Sequence, residues 1–150
     1  MSRVLGIDLG APGGLVVLTP NGGLGSVLHW QRLKRGLDLA GLRRVVEHVI
    51  ETFEVGLVAT ERPGFWKDPR IGMAQREKQG VIRTLCQERE IRLVDYQPQT
   101  VKKAITGNGR ASKEQMQRAV RGLLSFEAVD EHVADAAAIG AVAMSREGKR

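Results

Sequence analysis

Three short apolar runs open this chain, RVLGID at 3–8, GGLVVLT at 13–19 and LGSVLHWQR at 24–32, and their connections are too short to hold a crossover helix. Pro20-Asn21-Gly22-Gly23 is a turn signal, so the second and third runs pair as an antiparallel hairpin with the first beside them. The period then changes. Between Leu39 and Phe53, the apolar residues Leu42, Val45, Val46, Val49, Ile50 and Phe53 follow helical spacing, and VGLVATE at 55–61 reads as a fourth strand. RPGFWKDPR at 62–70 holds two prolines and a glycine, and a mobile loop is expected there. A helix over 71–89, with Ile71, Ala74, Val81, Ile82, Leu85 and Cys86 on its apolar face, precedes a fifth strand, IRLVDY at 91–96. Pro98 starts a short helix that Gly107 ends, Ser112 with Gln115 forms a capping-box signature for the next, and the last helix runs from Glu131 to Ser145. This order predicts an α/β protein of ribonuclease H-like fold. Its five-stranded mixed sheet has three antiparallel strands, then two parallel ones, with helices on both faces.

At 150 residues the chain suits a single domain, expected over 1–145, with 146–150 as a solvated tail. Sugar kinases and actin-like ATPases also begin with a GIDLG-like strand, but they need two such domains and are excluded by length. Cys86 is the only cysteine, so no internal disulfide forms, and its place on an apolar helix face predicts a buried thiol in a reducing cytoplasm. MSRVLGID lacks the apolar core of a secretory signal, and no apolar run approaches the roughly 18 residues of a membrane span, so no membrane association is expected.

Charge points to the partner. Lys and Arg number 23 against 17 Asp and Glu, giving a net charge of +6, the sign expected of a protein that meets a polyanion. Residues 102–121 concentrate it: Lys102, Lys103, Arg110, Lys113, Arg118 and Arg121 stand against Glu114 alone. A second cluster is Arg32, Lys34, Arg35, Arg43 and Arg44 against Asp38. Such patches attract phosphate backbones without reading sequence.

Asp8 and Glu61 each end a buried strand, and Asp135 interrupts an alanine-rich apolar helix. A carboxylate in a low-dielectric setting is costly unless it is protonated, hydrogen-bonded or paired with a cation. Converging carboxylates suit hard divalent cations, Mg²⁺ and Mn²⁺ above all, and so predict a metal-dependent enzyme acting on phosphates. His132 lies three residues before Asp135 and shares its helix face, so both could reach one ion, while Asp130 and Glu131 sit at the helix start or point elsewhere.

Four segments, GIDLG at 6–10, ATERPGFW at 59–66, PQTVKKAITGNGRASKEQM at 98–116 and HVADAAAIG at 132–140, resemble the RuvC family of Holliday junction resolvases over nearly the whole chain. The third is the most specific. The resemblance implies a homodimeric endonuclease that nicks four-way DNA junctions symmetrically, leaving 5′-phosphate and 3′-hydroxyl ends, with a branch-migration complex as a candidate further partner. It implies two Mg²⁺ or Mn²⁺ ions held by Asp8, Glu61, His132 and Asp135, with His132 where some members carry Asp. It further implies Lys113 near the scissile phosphate, Lys102 on a second phosphate, and an aromatic, Phe65 or Trp66, stacked on opened bases. Lys67 and Arg70 would meet neighbouring phosphates, as would Lys103, Arg110 and Arg118 in the basic stretch. Met73, Gly80, Val81 and Thr84 on the long helix offer a dimer interface. Alternatives at this point are another nuclease on the same fold, a branch or flap nuclease or a YqgF-type pre-rRNA nuclease, and a non-catalytic junction-binding protein. The cell implied is bacterial, or bacterial and phage-infected.

Overall fold

Strands buried on both faces build the centre of the molecule. The structure, a computed structural model, describes residues 2–63 and 67–148. Strands β1 (Arg3–Asp8), β2 (Gly13–Thr19) and β3 (Ser26–Leu33) form an antiparallel meander, and β4 (Val55–Glu61) and β5 (Arg92–Tyr96) extend it in parallel, in the order β3-β2-β1-β4-β5. Val4, Val16 and Leu18 point to one face, and Leu5, Ile7, Leu15 and Val17 point to the other, so β1 and β2 are buried on both sides.

Each face is covered by helices. Helices α1 (Leu39–Phe53) and α2 (Pro69–Glu88) close one core, through Leu42, Val46, Val49 and Ile50 from α1 and Ile82, Leu85 and Cys86 from α2. Helices α3 (Pro98–Thr106), α4 (Lys113–Leu124) and α5 (Glu131–Glu147) close the other. The local stop and start signals act as expected. Pro98 opens α3, Gly107 ends it at φ +81°, and Ser112 and Gln115 cap each other at the start of α4.

Three expectations are corrected. Helix α2 begins at Pro69 rather than 71, because Asp68 accepts a hydrogen bond from Arg70 N and proline fits the first helical position. Its inner face is Gly72, Gln79, Ile82, Leu85 and Cys86, while Ile71 and Ala74, predicted inside, are exposed. Helix α5 continues two residues past Ser145, into the predicted tail, because Glu147 pairs with Arg92 at 2.7 Å and Arg146 lies over the Tyr96 ring. Cys86 is buried as expected, which pushes its thiol up to about 11. Among the described residues no helix is long and apolar enough to cross a membrane.

Candidate active site

Asp8 and Glu61 are the last residues of β1 and β4, adjacent parallel strands paired up to Ile7 and Thr60, so both carboxylates leave the sheet at the same end. Asp135 reaches that end from α5. The helix can do so because its backbone lies directly on the strands: a Cβ on Gly6 would stand 2.2 Å from Ala136 O and 2.7 Å from Gly140 N, and one on Gly14 would stand 3.1 Å from His132 C and O. Only glycine permits that approach, and alanines at 134, 136, 137 and 138 keep the neighbouring turns equally thin.

His132 joins the same cluster. Its Nδ1 lies 3.2 Å from Asp8 Oδ2, and an ionised Asp8 is the acceptor there. The other oxygen, Oδ1, accepts from Gly10 N at 2.9 Å. Burial raises the Asp8 carboxyl above its usual range, against the lowering effect of Gly10 N–H and the imidazole. Burial first, and then the charges of Asp135 and Asp8, push Glu61 up to about 7. Burial, then Asp8 and Glu131, push Asp135 up to about 7 as well, and Lys102 opposes both shifts. His132 thus acts on Asp8 and Asp135, and Glu61 feels both Asp8 and Asp135, which gathers the sequence-predicted quartet at an energetic cost.

A cleft lies between these acids and the basic stretch, lined by Glu61, Pro98, Val101, Lys102, Ser112, Lys113 and Asp135 among others. Lys102 and Lys113 thus share this cleft with Glu61 and Asp135. Lys103 and Arg110 are exposed beside them, while Arg118 lines a separate groove with Ile105, Thr106 and Asn108. Arg70 folds back on Asp68, with Nη2 to Oδ2 at 2.9 Å, and Lys67 is exposed. Phe65 and Trp66 lie outside the described residues. In the second basic cluster Arg43 pairs with Glu88 and Arg32 with Asp130, so part of its charge is neutralised locally.

Glu131 sits at the helix start, one of the two placements expected for it, and also turns toward the site. Its carboxylate pairs with Lys113 Nζ at 3.1 Å, stands 3.5 Å from His132 Nε2 and raises Asp135. Its spacing of four residues from Asp135 was the available signal, since residues i and i+4 share a helix face. Asp130 caps α5 through Val133 N, as a residue at the helix start does.

The donor set suits a hard divalent cation: three carboxylates and an imidazole from three separate elements, with Glu61 and Asp135 pushed up to about 7 by burial first and by neighbouring negative charge second. Among the described residues no three such donors already form a closed cluster. Asp8 is held instead by Gly10 N and His132.

The sequence family described as crossover junction endodeoxyribonuclease RuvC matches residues 4–144. The protein of that name from Caldicellulosiruptor saccharolyticus is 33% identical over 147 residues, covering 91% of this chain and 89% of its own. The one from Hydrogenovibrio crunogenus is 29% identical, covering 92% and 84%. Among solved structures, T. thermophilus RuvC in complex with Holliday junction substrate superposes with a TM-score of 0.83 at 28% identity, covering 94% of this chain and 92% of that one. The Thermus thermophilus RuvC structure gives 0.80 at 27% identity, covering 97% and 96%. The yeast mitochondrial resolvase Ydc2, at 16% identity and a TM-score of 0.65, shares the fold. With the family model spanning residues 4–144 and a relative 33% identical over 91% of the chain, this chain belongs to the RuvC family of crossover junction endodeoxyribonucleases.

Proposed function

We propose that this chain resolves four-way DNA junctions by metal-assisted phosphodiester hydrolysis, with Asp8, Glu61, His132 and Asp135 as the metal-holding set. One observation carries the reading: carboxylates from β1, β4 and α5 share one end of the sheet, raised by burial and one another, against a cleft lined by Lys102 and Lys113. Mg²⁺ or Mn²⁺ ions, two per site when bound, supply activation of the attacking water and neutralisation of the leaving 3′ oxygen. Asp8 is oriented for this by the N–H of Gly10 and by His132. Lys102, already within electrostatic reach of Glu61 and Asp135, holds a phosphate against the acids. Lys113 exchanges its pairing with Glu131 for a phosphoryl oxygen and offsets the charge developing there.

Products are paired nicks with 5′-phosphate and 3′-hydroxyl ends, made by a homodimer whose twofold axis matches that of the junction. The outer face of α2 supports a role as the interface: Met73 is 58% exposed, Thr84 is exposed, and a Cβ at Gly80 would meet nothing within 4 Å. A branch-migration complex is a further proposed partner. The test is cleavage of a four-way junction, fork, duplex and RNA–DNA hybrid, with Mg²⁺ and Mn²⁺ titrated, by the parent and by Asp8→Asn. The variant is expected to bind junctions as the parent does and to nick none. Preference for the hybrid, or a variant that cuts as well as the parent, overturns the proposal.

A further inference from the structure

The ladder between β1 and β4 ends at Ile7 and Thr60, one residue short of the acids. Asp8 pairs outward, with Gly14 of β2, and Glu61 pairs outward, with Tyr96 of β5, so no backbone pairing between the two sets their separation. Consecutive side chains of α2 close that gap from the sheet face opposite α5. Lys78 Nζ donates to the carbonyl of Leu9, the residue after Asp8, at 3.2 Å. The Gln79 amide donates to Thr60 Oγ1 at 3.2 Å and to Asp95 Oδ2 at 3.3 Å, which uses both of its N–H groups.

Thr60 is fully buried and directly precedes Glu61, and Asp95 is its partner across the β4–β5 ladder. Beyond Glu61, Arg62 donates from Nε to Asp95 Oδ1 at 2.9 Å and from its backbone N to Tyr96 O at 2.7 Å. Glu61 is therefore clamped on both sides. Gln79 is 7% exposed on a face otherwise made of Gly72, Ile82, Leu85 and Cys86. A buried amide is costlier there than a leucine unless it is hydrogen-bonded, and these bonds run to Thr60, beside Glu61, and to Asp95, the ladder partner of Thr60.

We infer that Lys78 and Gln79 are positioning residues that set the separation of Asp8 and Glu61 by bracing the ends of β1 and β4 against one turn of α2. The inference rests on the reading of Asp8 and Glu61 as metal-holding residues. Lys78 acts through the Leu9 carbonyl beside Asp8, and Gln79 through the Thr60 hydroxyl beside Glu61.

The test uses the full chain, with Lys78→Met, Gln79→Met and the conservative Thr60→Ser. Mn²⁺ binding to the metal-free protein is measured by titration calorimetry. Thermal midpoint, junction affinity in chelator and single-turnover cleavage are measured alongside. Both methionine variants are expected to bind Mn²⁺ about 10-fold or more weakly, the range seen when groups orienting metal ligands are lost. Cleavage should slow, with junction affinity unchanged, and Thr60→Ser, which keeps the hydroxyl acceptor, should match the parent. Lys78→Met leaves the core untouched, so it decides the matter should Gln79→Met not fold. Parent-like Mn²⁺ binding by Lys78→Met overturns the brace while the functional reading stands. A parent that binds no Mn²⁺ and nicks no junction fails the functional reading, and the brace fails with it.

Discussion

Asp135→Asn is expected to stabilise the metal-free protein at alkaline pH while abolishing cleavage. Burial and the nearby charges of Asp8 and Glu131 carry the Asp135 carboxyl from an ordinary 3.8 up to about 7. Each pH unit of displacement is worth about 1.4 kcal/mol, so the ionised carboxyl costs the folded state about 4 kcal/mol above neutrality. The sign follows from linkage. A carboxyl raised on folding leaves stability intact below its unfolded value near 4, and that stability is lost as the pH climbs through about 7. Asparagine has no charge to lose, but burying its incompletely paired amide costs about 1–2 kcal/mol, leaving a net gain of about 2–3 kcal/mol at pH 8.5. Asp135 is the largest unfavourable charge acting on Glu61, so the two penalties overlap and are not summed. For a chain of 150 residues the gain corresponds to roughly 5–10 °C in melting temperature. Thermal unfolding followed by circular dichroism in chelator, at pH 5 and pH 8.5, reads it directly: the variant should melt higher at pH 8.5, with the difference largely gone at pH 5. Added Mn²⁺ should raise the parent's midpoint at pH 8.5 more than the variant's. A variant that melts no higher than the parent at pH 8.5 in chelator would refute the view that confined negative charge is what strains this site.

Gly6→Ala should lift α5 from β1, because the new Cβ would stand 2.2 Å from Ala136 O; urea unfolding should show a loss of about 3 kcal/mol, and a near-parental midpoint would contradict the backbone contact. Lys113→Ala should slow single-turnover cleavage more than it weakens junction binding, whereas equal losses would reduce Lys113 to a plain phosphate contact. Junction affinity should fall steeply with added salt, and Lys103→Ala or Arg110→Ala should each lower the slope of log affinity against log salt by about 1, read by fluorescence anisotropy.

Much of the fold was legible because the signals are local. Short continuous apolar runs mark β1 and β2, and helical spacing marks α1, which runs from Leu39 to Phe53 as its apolar residues imply. Caps mark the ends: Pro98 and Gly107 around α3, Ser112 with Gln115 before α4. Legibility failed where burial depends on what lies across from a residue. Ile71 fits an apolar helical stripe yet is 45% exposed, while Gln79, which breaks the stripe, is buried because Thr60 and Asp95 meet its amide. Glu147 was read as tail, but the helix holds through it since Arg92 of β5 stands within ion-pair distance.

The sequence alone singled out the candidate groups: carboxylates at strand ends and in an apolar helix, with basic residues gathered in one stretch, are costly placements that composition and pattern expose without coordinates. Tertiary structure decided how they act on one another. Glycines at 6, 14 and 140 let α5 lie on the sheet and bring Asp135 and His132 to Asp8, and Glu131 turns inward to hold Lys113. Separations of more than a hundred residues along the chain, as between Asp8 and His132, become 3.2 Å only when strands and helix pack, and electrostatic coupling depends on that distance and not on sequence order.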